Sequence, residues 1–219
     1  MKFGIDRTDI TPGWATYMAG YGARNDLSDG VNDPLTFTSL ILEEKGKKIF
    51  IGAVDLVGIG REISAKIRKN IAEMLGIKIS DVMINCSHTH GGMRIDVSDY
   101  MDCTYMLPVI NKNKKLLETR IYASVKKAQK NMQEGKLFYG EGKTTVPMNR
   151  RLLYKGQIEN RPNPNGKTDS ALKVLKITDN NGKIAVIITR VSCHAVATGA
   201  KHLLTADYPG AFRPFVEKA

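Results

Sequence analysis

His88 and His90 stand two residues apart in the run Ile84-Asn85-Cys86-Ser87-His88-Thr89-His90-Gly91-Gly92, where an apolar stretch ends in two histidines and two glycines. Alternate side chains of a β-strand share a face, so this spacing predicts two imidazoles projecting together from the end of one strand. The glycines predict a sharp turn immediately afterwards, because a residue without Cβ tolerates positive φ and lets a ligand approach closely. The chain has four histidines, and the other two, His194 and His202, bracket a second strand-to-loop junction at Val191-Ser192-Cys193-His194-Ala195. Zinc takes imidazole nitrogens in tetrahedral sites, and a catalytic zinc keeps three protein ligands and one position for water. His88, His90 and His194 can supply the imidazoles, and a zinc-activated water attacking a carbonyl makes a metal-dependent hydrolase. Histidines at strand ends also serve plain structural roles, and spacing alone leaves both readings open.

The elements that must position these residues follow from periodicity and punctuation. A short strand is expected at residues 2–5, followed by a Pro12-Gly13 turn. The glycine- and aromatic-rich stretch Met18-Ala19-Gly20-Tyr21-Gly22-Ala23-Arg24 reads equally as a pocket-lining loop and as an ordinary surface loop. Apolar, β-branched runs at 35–42 and 48–57 flank Glu44-Lys45-Gly46-Lys47 and predict an antiparallel hairpin, with Asp55 capping the next turn rather than serving the site. Apolar residues Ile63, Ile67, Ile71, Met74 and Leu75 predict a helix over 61–75, stopped by Gly76. Ser80-Asp81 then opens a strand over 82–86 that delivers the histidines, at the end of a strand where α/β sheets place ligands.

Residues 93–109 read as a lid-like loop whose Asp96, Asp99 and Asp102 offset a basic chain, with Tyr100 and Tyr105 beside them. A second amphipathic helix is expected over 114–134, with Leu117, Ile121, Val125, Ala128 and Met132 on its buried stripe and a solvated lysine face. Beyond it come a strand over 136–145 and the adjacent Arg150 and Arg151. A flexible loop over 157–167 follows, then a hairpin of 172–178 and 183–191 around Asp179-Asn180-Asn181-Gly182, and a short helix over 211–218. The fold class is α/β, a mixed β-sheet with packed helices in a single domain.

Hydrophobic residues make up 42% of the 219, enough for a sizeable core and against disorder. The net charge of +11 favours anionic partners, yet the lysines are dispersed and no helix-turn-helix, zinc-finger or aromatic RNA-binding signature accompanies them, so nucleic acid is not an expected partner. Cys86, Cys103 and Cys193 form an odd set without paired spacing, which argues against a disulfide framework and for a reducing compartment. The first residues lack the apolar core of a signal peptide, and no apolar run approaches the roughly 20 residues of a bilayer span. A cytoplasmic location is the expectation.

Asp9-Ile10-Thr11, Met18-Ala19-Gly20-Tyr21, Ser87-His88-Thr89-His90-Gly91-Gly92, Asn149-Arg150 and Cys193-His194 followed by Asp207 resemble, in order and approximate spacing, the neutral/alkaline ceramidases. The resemblance spans essentially the whole chain, so residues 1–219 are expected to form the N-terminal part of a ceramidase-like zinc amidohydrolase domain. It implies a Zn2+ enzyme that cleaves the amide of an N-acylated sphingoid base, with a small-molecule or lipid-like amide as substrate. By position, His88 and His194 match the family's two zinc-binding histidines, and His90 and Arg150 match residues that line the substrate; Arg151 competes for the role of Arg150. The family's other zinc ligands, a glutamate and a tyrosine, belong to the second half of its domain. Within this chain His90 or Asp207 would have to complete the set, and weak zinc binding with little activity is expected. The alternative is a non-catalytic scaffold or binding module that holds an anionic partner on its basic surface.

Overall fold

The computed structural model describes residues 1–97 and 104–218, so Asp99, Tyr100, Asp102 and Cys103 lie outside the described residues. In chain order the elements are β1 (Lys2–Asp9), β2 (Gly30–Val31), β3 (Thr36–Glu44), β4 (Lys47–Val54), α1 (Arg61–Leu75), β5 (Val82–Cys86), α2 (Leu107–Lys130) and β6 (Gln133–Lys143). They continue with β7 (Arg151–Tyr154), β8 (Gln157–Asn160), β9 (Ala171–Asp179), β10 (Ile184–Arg190), β11 (Leu203–Leu204) and α3 (Asp207–Lys218). The chain divides into a larger compact unit, Lys2–Gln133 with Ala195–Ala219, and a smaller one, Met1 with Glu134–His194.

In the larger unit the strands run β1-β3-β4-β5. The first two pairings are antiparallel and β4 pairs β5 in parallel, so the sheet is mixed, as the sequence predicts. A parallel pair needs a crossover, and α1 supplies it. The α1 and β5 bounds coincide with those expected from periodicity, and Gly76 caps α1 in the left-handed conformation. Both helices pack on this sheet, α2 against β1 and β3, α1 against β5. Their apolar stripes meet the sheet in one core that includes Phe37, Phe50, Ile67, Ile71, Leu117, Ile121 and Val125. Each such side chain contributes about 1.5–3 kcal/mol on burial.

In the larger unit β1, α2 and α3 differ most from expectation. Strand β1 continues past Ile5 to Asp9, because it pairs with β3 along its whole length, Lys2 with Glu43 through Asp9 with Thr36. Helix α2 starts at Leu107 rather than 114 and ends at Lys130. Pro108 suits a first turn, where its missing N–H is not needed, and Ile110 and Asn113 extend the buried stripe. Helix α3 starts at Asp207 rather than 211, again with a proline, Pro209, inside the first turn where it is tolerated.

In the smaller unit β9 pairs antiparallel with both β10 and β6. The expected loop over 157–167 is corrected at its start. Gln157–Asn160 is a strand paired antiparallel with Arg151–Tyr154 across a Lys155-Gly156 turn whose φ values are 48° and 79°. A Lys-Gly turn with two positive φ angles matches the strand twist of a two-residue hairpin. Among the described residues no helix is long and apolar enough to cross a membrane.

Candidate metal site

Strand β5 stops at Cys86, two residues before His88, so strand alternation is not what brings the imidazoles together. His88 adopts φ 59°, a left-handed conformation uncommon outside glycine. The backbone is captured on leaving the strand: Ser87 N donates to Val54 O at 2.9 Å and His88 N to Leu56 O at 3.0 Å. The His88 ring is captured too, its Nδ1 lying 2.5 Å from Val57 O. A carbonyl oxygen only accepts, so Nδ1 carries the proton and Nε2 is the nitrogen with a lone pair for a metal.

His90 is fixed from both sides of its own peptide units. Its N–H donates to Ala195 O at 3.3 Å, and its carbonyl accepts from Arg24 Nη2. Its ring stands edge-on to Tyr21 at 4.8 Å and to His88 at 5.3 Å between centroids, each at 75°. A ring nitrogen of His88 and one of His90 lie within 4.8 Å of each other. Gly20, at φ 103°, backs the ring so closely that a Cβ there would sit 2.4 Å from His90 Cγ.

The turn expected at Gly91-Gly92 has a different cause from the one predicted, for the positive φ falls on His88. Gly91 is needed for close approach. A Cβ on it would lie 2.3 Å from Thr205 Cγ2 and 2.5 Å from Thr205 O. Between the two histidines, buried Thr89 donates to Thr205 O at 2.8 Å and accepts from Gly91 N at 3.1 Å, while Thr205 N donates to Gly91 O at 3.0 Å.

Arg24, 4% exposed, ties three backbone segments by donating to Ala19 O at 2.6 Å, to Lys201 O at 2.8 Å and to His90 O. Burial lowers the pKa of its guanidinium, with Tyr21 opposing and Arg94 reinforcing the shift. Asp207, φ 58° and 4% exposed, accepts from Ala197 N at 3.0 Å, Thr198 N at 2.8 Å, Thr198 Oγ1 at 2.7 Å and Tyr208 N at 2.8 Å. Burial pushes this carboxyl up, but the four hydrogen bonds outweigh it and hold the pKa below its ordinary value. Burial also pushes the Cys86 thiol up to about 11, helped by the charges of Asp55 and Asp96, so it stays protonated and unreactive near neutral pH.

Residues 1–219 match the family described as neutral/alkaline non-lysosomal ceramidase, N-terminal. The chain belongs to that family. A neutral ceramidase of Pseudomonas aeruginosa is 28% identical to this ceramidase-family chain over an alignment of 219 positions that covers 95% of the chain and 32% of that protein. A crystal structure of the neutral ceramidase from Pseudomonas aeruginosa and a structure of a ceramidase complexed with C2 each share its fold. Both give a TM-score of 0.75 at 24% identity, over 95% of this chain and 34% of theirs. The chain thus spans about a third of the length of these relatives.

In this ceramidase-family chain the larger unit ties His88-Thr89-His90 and the start of α3 to the same segment, with Asp207 holding residues 197 and 198 and Ala195 O holding His90. His194 is the last residue of the smaller unit and is joined to Ala195 by a peptide bond. Arg150 lies in the smaller unit, where its Nε donates to Asn160 Oδ1 at 3.1 Å and its Nη2 to Asn160 O at 3.4 Å; Arg151 opens β7. Asp55 does not cap a turn but is buried in an ion pair with Arg213, and Asp96 accepts from Gly60 N at 3.0 Å, at the start of α1. Arg24, Thr89 and Thr205 escaped the sequence reading. The one signal was an arginine closing the glycine-rich stretch 18–24.

Proposed function

We propose that this chain is the N-terminal part of a ceramidase-like zinc amidohydrolase that cleaves the amide of an N-acylated, sphingoid-like substrate. The observation that carries the reading is the contact between His88 Nδ1 and Val57 O, set beside the His90 ring in a chain of this family. A backbone carbonyl on one ring nitrogen is the usual orienting partner of a metal-binding histidine. The donor set fits zinc: His88 would bind through Nε2, and His194, the residue before Ala195 whose carbonyl holds His90, would bring the second imidazole.

When bound, zinc polarises the amide carbonyl and makes an attacking water acidic near neutral pH. His90 would orient the substrate amide and exchange a proton through its ring, and Arg150 would pair with the negative charge that develops on the carbonyl oxygen. Asp207, with four donors already on its carboxylate, would shape the loop rather than bind metal. The motif resemblance puts the glutamate and tyrosine ligands in the two-thirds of the relatives that this chain does not span.

Metal analysis of the purified 219-residue chain beside His88→Ala and His194→Ala tests the reading. Zinc is expected in the parent chain and depleted in both folded variants, and equal zinc in all three refutes it. The net charge of +11 supports a second reading, a non-catalytic scaffold that binds an anionic partner on its basic surface. Chelator-sensitive amide hydrolysis by this chain alone would exclude that.

A further inference from the structure

The six residues between β4 and α1, Asp55 to Gly60, supply both carbonyls that hold His88, one on its N–H and one on its ring. Their own anchors are side chains from elsewhere. At one end the Asp55 carboxylate, 1% exposed, accepts from Thr36 N at 2.8 Å and Thr36 Oγ1 at 2.9 Å. It also takes both arms of the Arg213 guanidinium from α3, Nη2 at 2.7 Å and Nη1 at 3.2 Å. At the other end Gly60 N donates to Asp96 Oδ2 at 3.0 Å. We propose that Asp55, locked by Arg213, is a positioning residue for His88: it fixes the Leu56 and Val57 carbonyls, which set the histidine's backbone and the tautomer of its ring.

A carboxylate this buried is tolerated only with its counter-charge and its donors in place. The two-pronged Arg213 fork gives it a direction as well as a charge, which a lysine ammonium cannot reproduce. Residues 56 and 57 follow Asp55 directly in the chain, so a backbone shift at Asp55 carries Leu56 O and Val57 O with it. His88 depends on them, since a non-glycine residue persists in the left-handed region only where its surroundings over-determine it. Arg213 is therefore linked to the His88 ring through Asp55 and Val57.

The metal arm of the test rests on the zinc reading above; the tautomer arm does not. Imidazole 15N spectra of the labelled 219-residue chain, taken above the usual histidine pKa, should show His88 as one tautomer with the proton on Nδ1. In Arg213→Gln, and less so in Arg213→Lys, the His88 signals should move towards a mixture of tautomers, and zinc affinity should fall roughly tenfold or more, the usual scale for outer-shell partners. Asp55→Asn should do the same if it folds; the arginine variants carry the test if it does not. Ile67→Val, a core change of modest cost, should move neither readout. Folded arginine variants with the parent's His88 pattern would overturn the proposal. If the parent chain binds no zinc but the tautomer still shifts, the metal reading fails and the positioning role stands. If zinc binds and the tautomer stays fixed, the reverse holds.

Discussion

Four non-glycine residues have positive φ among the described residues, and they form two unlike pairs. Lys45 (50°) and Lys155 (48°) each precede a glycine in a hairpin turn, Gly46 at 76° and Gly156 at 79°. His88 (59°) lies in the loop after β5 and Asp207 (58°) is the first residue of α3, both at the candidate site. A left-handed residue costs about 1–2 kcal/mol anywhere. In the hairpins the turn type requires that conformation, and the paired strands on either side offset it. At His88 and Asp207 no hairpin asks for it. There the conformation is enforced by hydrogen bonds from distant segments: the Leu56 and Val57 carbonyls for His88, the 197–198 loop for Asp207. The same backbone angle is cheap local geometry in one pair and imposed strain in the other, as at sites where shape serves chemistry.

The strongest way to break this contrast is at Asp207. Asp207→Ala would leave the Ala197 and Thr198 amides without their acceptor, and a loss of about 3 kcal/mol in urea unfolding is expected. A loss under 1 kcal/mol would put Asp207 with the hairpin lysines. Gly91→Ala comes next, at about 2–3 kcal/mol, because its Cβ meets the Thr205 backbone and side chain in a packed site. Thermal unfolding of that variant should fall well below that of a Gly140→Ala control, where no heavy atom lies within 4 Å of an added Cβ.

His88→Gly sharpens the comparison from the other side. It releases about 1 kcal/mol of backbone strain and forfeits a hydrogen bond of about the same size. Stability should therefore change little while zinc binding is lost, as read by unfolding and by metal titration. An unfolding loss above about 2 kcal/mol would mean the ring is held for structure alone. Lys45→Gly should change stability by no more than about 0.5 kcal/mol in either direction.

Acid unfolding adds a pH test. The pKa of Asp207 is lower folded than unfolded, so its stabilising contribution is fully present above the ordinary aspartate value and fades as pH falls through the lowered one. The stability gap between the parent chain and Asp207→Asn should accordingly close on acidification below that ordinary value. A gap that widens there would reverse the sign assigned to the carboxylate. Asp169, in the smaller unit, has its pKa held at about 2 by Arg190, Ala171 N and Ser192, but it is exposed, so salt should screen its share of the acid response.

Local signals made much of the larger unit legible. The spacing of Ile63, Ile67, Ile71 and Leu75 with Gly76 behind it marks α1 to the residue, and Lys45-Gly46 between apolar runs marks the β3–β4 turn. Where the local signal is weaker, the elements shift: α2 and α3 begin earlier than their apolar periodicity indicates, with Pro108 and Pro209 in their first turns, and the polar run from Gln157 hides a strand that buries little. At the site, residue types pointed to His88, His90 and their glycines, but not to how they are held. His88 leaves the strand because Leu56 and Val57, more than thirty residues earlier, offer carbonyls, and no periodicity encodes that. Asp55 and Arg213 lie 158 positions apart, and their pairing appears only once β4 and α3 are folded.

Arg24 gives the loops a shared mechanical fate. Its one guanidinium receives the carbonyls of residues 19, 90 and 201, so none of these three segments can open without breaking a bond that also steadies the other two. Hydrogen exchange should therefore report them as a single opening event with one common free energy, instead of three loops fraying on separate clocks.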